Sequence, residues 1–535
     1  MLTFYENTIA LLQKPLQNHL SLIFAIFGIT TFLDLASLFY IANYDFMIVL
    51  AVQNFFISYC IVFIYTLIKP KFIRRLFKYI FVFIFIAIYP IDLVTCVIFH
   101  HRFDINIAAI LLGTNNSESQ DFIIQYILPN FILLLIPTII IIIYLVLLKK
   151  MSGKTSFFTA KSIKRFVYLV TVAGLLTLMF NIYSNAFIKT SVFGKINSII
   201  TVSKTPDLKD YLQCPKIKID SEQPNNVVVI IGESYSKTHS SLYGYVKNTN
   251  PNLSSLEADS SLYVFNNIKS SGLNTIDSFK EMMSTYCSSR KSPEWYKCTT
   301  LPEIISYSNY ESVWISNQLR RGLFDNVITG YADLCDSMIF VSVNNEHYNG
   351  VGSYDERVLL PLKQYKNNSE KNNFYFIHLM GSHIYFKHRY PEKYNKFKYD
   401  EYAEFPENQR YDLAAYDNSV LYNDYVVNEI IRQFEDKEAI VFYFSDHSID
   451  IYESDSQYCG HAREYDPKSC ELGANIPFMV YMSDSYKKKF PETAYRIKNS
   501  VNKKYNTEDI LYTIMDVMNV KFKDNDDVNK YSLFN

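Results

Sequence analysis

Asp446 and His447 stand side by side at the end of a strongly apolar stretch, VFYFSDHSID (441–450). Neighbouring aspartate and histidine at a strand end can both reach one cation, as oxygen and nitrogen donors suited to zinc. A surface Asp-His pair after a core strand is the plain alternative. Four other segments offer partners. In NNVVVIIGESYSKTHSSLYGY (225–245) an apolar run ends at Gly232 and Glu233 comes immediately after it. A carboxylate there serves as a metal ligand or as a favourable charge at a helix start. In SSGLNTIDSF (270–279) Thr275 lies between a Gly-containing turn and a helical stretch. A hydroxyl at that place can be a nucleophile once a metal or base lowers its pKa. It can also lie where backbone N–H groups hold a phosphate, or simply cap the helix. YFIHLMGSH (375–383) delivers His378, Gly381 and His383, and YCGHARE (458–464) adds His461 after Gly460. Exposed histidines at a strand end suit metal or phosphate contact, although His378 lies nearer the strand and is the more easily packed.

The constellation says more than its members. Glu233, Thr275, Asp446 and His447 would form an O/O/O/N zinc site in which the nucleophile's own oxygen is a ligand. Zinc lowers the pKa of a bound hydroxyl as it does that of water, so Thr275 could attack phosphorus. His383 and His461 could hold non-bridging phosphate oxygens, protonate a leaving oxygen, or help bind a second zinc.

These residues need strands that end together. Short apolar runs at Val227–Ile231, Ser312–Ile315, Phe374–Ile377, Ala439–Phe444 and Phe478–Met482 are rich in β-branched and aromatic residues and alternate with longer helical patterns. That pattern predicts a largely parallel sheet flanked by helices. Ligands bind beyond the carboxyl ends of such strands, where the polar motifs fall.

The remainder of the chain has another character. Apolar runs cover roughly 20–43, 46–68, 79–99, 122–148 and 166–183, and most approach the ~20 residues a helix needs to cross a bilayer. Five in succession predict a membrane domain of five transmembrane helices over 1–183, a connector with an interfacial helix over 184–224, and an α/β domain over 225–535. The Lys/Arg clusters at 69–78 and 149–165 are expected in cytoplasmic loops. The N-terminus then lies inside, 100–121 lies outside, and everything after 183 is exported. The first run reads as an anchor, with no cleavable signal peptide evident. Six cysteines lie beyond residue 183, an even number that fits disulfides in an oxidising compartment. The expected pairs are Cys287–Cys298, Cys459–Cys470 and Cys214–Cys335. A net charge of −1 gives no pull toward nucleic acid.

The motif set resembles the phosphoethanolamine transferases, membrane enzymes of the alkaline phosphatase and sulfatase superfamily that include lipid A modifiers. The resemblance rests on GES (232–234) with SLYGY (241–245), Thr275 after its Gly turn, and WISNQ (314–318). It continues through HLMGSH with RYPEKY (378–394), YDNSVLYNDY (416–425) and SDH (445–447). It implies an α/β/α sulfatase-like catalytic domain, with Glu233, Thr275, Asp446 and His447 as zinc ligands and Thr275 the residue that becomes phosphorylated. It implies that His383 and His461 lie near the second metal or the phosphoryl group. Asn317 and Arg321 fall where the family binds phosphoethanolamine, with His378 beside them. Asn115 and Glu118, in LLGTNNSES (111–119), resemble membrane-side polar residues near the donor lipid. Ser448 and Ile449 stand where many members have Gly-Glu, and Ser271 stands where a cysteine often precedes the nucleophile turn.

The resemblance further implies a transfer in two steps. Phosphoethanolamine passes from phosphatidylethanolamine to Thr275, and then to lipid A, lipopolysaccharide core or another surface glycan. The expected setting is the bacterial inner membrane, with the catalytic domain in the periplasm and the protein a monomer. The nearest rival is a phosphoglycerol transferase of the lipoteichoic acid synthase type, which shares the five-crossing layout and a threonine nucleophile. HLMGSH and YDNSVLYNDY argue against it. A sulfatase activity would need a Cys or Ser in a modification motif that is absent, and complete ligand positions oppose an inert membrane scaffold.

Overall fold

The computed structural model describes residues 11–40, 47–99, 103, 123, 127–128, 130–151, 206–318, 320, 327–342, 354–365, 370–456, 458–463 and 466–535. Asn115, Glu118, Arg321, the apolar run 166–183 and most of the connector lie outside these residues. The described chain falls into two compact units, one within 11–151 and one within 206–535.

In the first unit the apolar runs are helices: α1 (Leu20–Tyr40), α2 (Met47–Leu67), α3 (Lys71–Phe99) and α4 (Phe131–Met151). Among the described residues, Leu20–Ser37 and Leu50–Leu67 are long and apolar enough to cross a membrane. The basic segment expected as a loop is instead the start of α3. Pro70 precedes the helix, the Arg74 amide donates to the Pro70 carbonyl at 3.0 Å, and Arg74 Nε donates to the Ile68 carbonyl at 2.8 Å. Pro suits the first turn because its missing N–H would have no partner there.

The second unit is built on a seven-stranded sheet. Its strands are β1 (Asn226–Gly232), β2 (Leu262–Val264), β3 (Tyr310–Ser316), β4 (Ser337–Phe340), β5 (Asn372–His378), β6 (Ala439–Ser445) and β7 (Phe478–Met482). They lie in the order β2-β7-β6-β1-β5-β3-β4. The five strands from β6 to β4 run parallel, and β7 runs antiparallel to both β6 and β2. All five runs expected as strands are present; the very short β2 and β4 carry too little pattern to be read. β1 and β6 are buried along their whole length, as central parallel strands are. Register places Gly232 opposite Ser445 and Ile231 opposite His378. The residues just past β1, β5 and β6 therefore emerge at one edge of the sheet.

Among the described residues, the expected pairs Cys287–Cys298 and Cys214–Cys335 are not joined. Cys214 is exposed while Cys335 is partly buried with its Sγ 3.7 Å from the Tyr331 carbonyl. The Cys298 thiol faces the Pro293 and Glu294 carbonyls, and the Cys470 thiol faces the Arg463 carbonyl.

Candidate active site

Glu233 leaves β1 into a bend in which Ser234 holds φ 54°. A left-handed non-glycine residue costs about 1–3 kcal/mol and persists only where its surroundings impose it. Here they do: the Tyr416 hydroxyl donates to the Ser234 carbonyl at 2.9 Å and accepts from the Ser236 amide at 2.6 Å. The bend turns the Glu233 carboxylate toward the end of β6. Its Oε1 accepts from Ser234 Oγ at 2.6 Å and lies 3.2 Å from His447 Nε2.

Thr275 is the first residue of α5 (Thr275–Met282), and the cap is Asn274, whose side chain accepts from the Asp277 amide. The capping role open to Thr275 is thus filled by its neighbour, which leaves the threonine hydroxyl for other work. Thr275 Oγ1 lies 3.2 Å from Glu233 Oε2 and 3.2 Å from His447 Nε2. The turn before it needs glycine at 272, where a Cβ would meet the Ser278 amide nitrogen at 2.4 Å.

Asp446 Oδ1 accepts from the His447 amide at 2.7 Å and the Ser234 amide at 3.3 Å. Its Oδ2 is buried with no hydrogen-bond partner among the described residues, yet lies 3.5 Å from His447 Nε2. His447 Nδ1 is 2.8 Å from the Ser448 carbonyl, so it carries the proton and directs the Nε2 lone pair into the cluster. Glu233, Asp446 and His447 each bring a ligand atom within 4.8 Å of the others. Two buried carboxylates and an imidazole pointing at one spot, one carboxylate oxygen lacking any donor, form a set that a divalent cation satisfies; two carboxylate oxygens and a nitrogen suit zinc.

The charges agree. Burial works to raise the Glu233 carboxyl, but His447 outweighs it and holds Glu233 well below its ordinary range. Burial and then the Glu233 charge push Asp446 well above. Burial works against the charged form of His447, yet Asp446 and Glu233 lift it to about 9. Without a cation, the cluster holds protons that a metal would displace.

The remaining histidines divide. His461 has its ring 5.0 Å from that of His447 and 6.4 Å from that of His383, so these three face one region. Burial lowers His383 to about 4 and His461 to about 3, which keeps both rings neutral, and His383 Nδ1 has no partner among the described residues. His378 is fully buried against Phe279 and Trp314, with Nδ1 3.4 Å from Ser316 Oγ. It is packed behind α5 and touches the core. Asn317, just past β3, is fully buried and its amide donates to Asp355 Oδ1 at 2.8 Å.

Gly381 sits at φ +54°, and a Cβ there would meet the Glu233 carbonyl oxygen at 2.6 Å and its nitrogen at 2.8 Å. Only glycine lets the turn carrying His383 lie on the backbone of Glu233.

YDNSVLYNDY lies on the 26-residue helix α6 (Glu407–Arg432), and its polar residues hold loops around the site. Besides Tyr416, Asp417 Oδ1 lies 2.6 Å from His239 Nδ1, and its Oδ2 accepts from the Tyr245 hydroxyl at 2.8 Å and from the Tyr402 hydroxyl. Asn418 accepts from the Lys396 and Phe397 amides at 2.7 and 2.9 Å. Ser419 Oγ donates to Ser382 Oγ at 2.9 Å, and Asn423 accepts from the Tyr443 hydroxyl at 2.6 Å. Asp424 caps a further helix through the Asn252 and Leu253 amides at 3.0 and 2.9 Å. The density of polar residues inside one helical stretch is the signal that could have found them.

Known proteins are similar to this chain in sequence and fold. The family model described as Sulfatase matches residues 225–520. Phosphoethanolamine transferase EptC of Escherichia coli strain K12 is 28% identical over 307 residues, covering 56% of this chain and 52% of its own. Phosphoethanolamine transferase EptA of Helicobacter pylori is 30% identical over 269 residues, 49% of each chain. The chain spans about half the length of these curated relatives. The crystal structure of the C-terminal periplasmic domain of Escherichia coli EptC in complex with Zn aligns at 26% identity and TM-score 0.54, over 60% of this chain and 89% of that one. The integral membrane phosphoethanolamine transferase EptA of Neisseria meningitidis shares the fold over 96% of both chains, at 19% identity and TM-score 0.63. With more than half its length matched, the chain belongs to the Sulfatase family, within which these relatives are phosphoethanolamine transferases.

Proposed function

We propose that this protein moves phosphoethanolamine from phosphatidylethanolamine to lipid A, lipopolysaccharide core or another surface glycan, by way of a phosphorylated Thr275. The observation that carries this reading is the hydroxyl of Thr275, 3.2 Å from both Glu233 Oε2 and His447 Nε2 at the metal-capable cluster. The activity named for its relatives supports phosphoethanolamine as the group transferred, and the name Kdo(2)-lipid A phosphoethanolamine 7''-transferase supports the class of acceptor.

Glu233, Asp446 and His447 would hold zinc, with Thr275 alongside. When bound, zinc makes the threonine hydroxyl more acidic and offsets charge developing on phosphate oxygens. The chain's own residues do the rest. Helix α5 fixes the Thr275 hydroxyl in one direction, so the phosphate need only be placed in line with it. Thr275 Oγ1 gives up its proton as it attacks phosphorus, the bond to the diacylglycerol oxygen breaks, and that oxygen takes up a proton in return. His383 and His461 are neutral and able to donate hydrogen bonds to phosphate oxygens without adding charge repulsion among themselves. In the second step an acceptor hydroxyl or phosphate oxygen attacks the same phosphorus and frees Thr275. Asn317 and Arg321 would receive the ethanolamine phosphate group.

We further propose that the first unit spans the bacterial inner membrane with five crossings, placing the catalytic unit in the periplasm as a monomer. Asn115 and Glu118 would face the donor lipid. On α4 the large apolar residues are exposed, Ile132 at 71% and Ile142 at 56%, which suits a lipid environment.

The decisive experiment incubates the purified full chain with phosphatidylethanolamine vesicles and examines Thr275 by mass spectrometry. A phosphoethanolamine adduct is expected. A phosphoglycerol adduct from mixed vesicles, or no adduct, overturns the reading.

A further inference from the structure

Asp355 is a buried carboxylate outside the zinc cluster, 3% exposed. It takes three hydrogen bonds from two separate elements. Oδ1 accepts from Asn317 Nδ2 at 2.8 Å and from the Met380 amide at 2.8 Å, and Oδ2 accepts from the Gly381 amide at 2.8 Å. Asn317 extends β3, and Met380 and Gly381 lie just beyond β5. Across the same turn, Arg389 Nε donates to the His383 carbonyl at 3.1 Å and its guanidinium reaches the Ile384 carbonyl at 2.8 Å. The turn bearing His383 is thus gripped by an anion at its amide end and a cation at its carbonyl end. It is also pressed to the site floor, where the Ser382 amide donates to the Glu233 carbonyl at 2.9 Å.

The carboxylate does more for Asn317 than hold it. A carboxylate only accepts, so the side-chain partner it takes from an amide is the NH2 group. Asp355 thereby fixes which end of the Asn317 amide points which way. A neutral amide at 355 has one acceptor and one donor end, so it cannot accept from both Asn317 and the Gly381 amide, and one of the two grips would be lost.

We propose that Asp355 is a positioning residue for the transfer, locking the amide of Asn317 and the turn of His383 at one spacing and in one orientation. This rests on the reading of Asn317 and His383 given above, as groups that meet the phosphoethanolamine. Asp355 touches no reacting atom. A substrate group misplaced by about 1 Å can cost on the order of a hundredfold in rate, so an anchor shared by two such groups has a functional signature apart from stability.

The test uses the full chain with Asp355→Asn, Asn317→Ala and the double variant, reading zinc content, melting, KM for phosphatidylethanolamine and the rate of adduct formation on Thr275. Asp355→Asn should retain zinc and raise KM about tenfold, and the penalty of the double variant should fall short of the two single penalties combined, because contacting residues acting as a unit are not additive. A wild-type KM in Asp355→Asn, or penalties that add, overturns the positioning role while leaving the transferase reading intact. Absence of any adduct on the wild-type protein overturns both. Should Asp355→Asn not fold, amide exchange in the wild type decides. Saturating free phosphoethanolamine, as judged by inhibition, should slow exchange at Met380 and Gly381 at least threefold, and unchanged exchange overturns the proposal.

Discussion

The two units treat the same residue types in opposite ways. Along α4, isoleucine and leucine side chains stand largely exposed, as at Ile132, Ile136, Ile142 and Leu147. In the sheet, Val227 to Ile231 and Ala439 to Phe444 are buried throughout. Large exposed apolar residues in the second unit are scattered, as at Val246 and Leu360, which is ordinary for a surface in water. A helix apolar all round fits a hydrocarbon solvent. The same composition is therefore a core in one region and an exposed apolar surface in the other, and the polar site belongs to the region that obeys the rules of water.

The two units part company most clearly at the nucleophile. Thr275→Ala should bring transfer to background and remove the adduct, while lipid extraction of the protein stays unchanged. Residual full activity in a transfer assay would detach the chemistry from the second unit's cluster. Next in size is a charge on the other surface. Ile140→Asp, near the middle of α4, should cost about 3 kcal/mol of insertion and release part of the protein to alkaline extraction, with zinc content and melting of the second unit intact. Retention of normal membrane partition would mean that α4 does not face lipid. Gly381→Ala tests how tightly the site floor is packed. Its left-handed backbone and the Glu233 contact predict a loss of about 1–3 kcal/mol, read as a lower melting temperature with less zinc retained.

The smallest effect is a pH dependence. Burial disfavours the charge on His239, but Asp417 outweighs it and raises the imidazole above its ordinary 6.5, with Glu453 adding to the effect. Tyr245 and Tyr402 also face the pair. A raised base stabilises the fold fully below the unfolded value and loses that contribution as pH climbs through the folded one. Melting temperature should fall as pH rises above 6.5, and His239→Gln should flatten that slope. An unchanged slope would show that the pair carries no pH-linked stability.

How much of the molecule is legible in its sequence depends on how local each signal is. Asp446 and His447 are legible because apolar strands that end in metal-binding residue types are a short pattern, and Glu233 repeats it after β1. The strands β1, β3, β5, β6 and β7 announce themselves by composition. Asp355 leaves no trace, since its meaning arises only when residues 317 and 380 are brought to it. Likewise Tyr416 serves Ser234 across 182 positions, a distance no periodicity reports. The basic start of α3 mimics a loop because its charges mask the helix propensity of lysine and arginine. The cysteine pairs rest on an even count, which contains no geometry.

The helix α6 carries a consequence for how this chain can change length. Residues 416, 417, 418, 419, 423 and 424 each hold a different neighbour, and each additional residue in a helix rotates all later positions by about 100°. A one-residue insertion before Tyr416 would swing every one of these grips away at once. Lineages of this protein should therefore keep the register of that helix fixed.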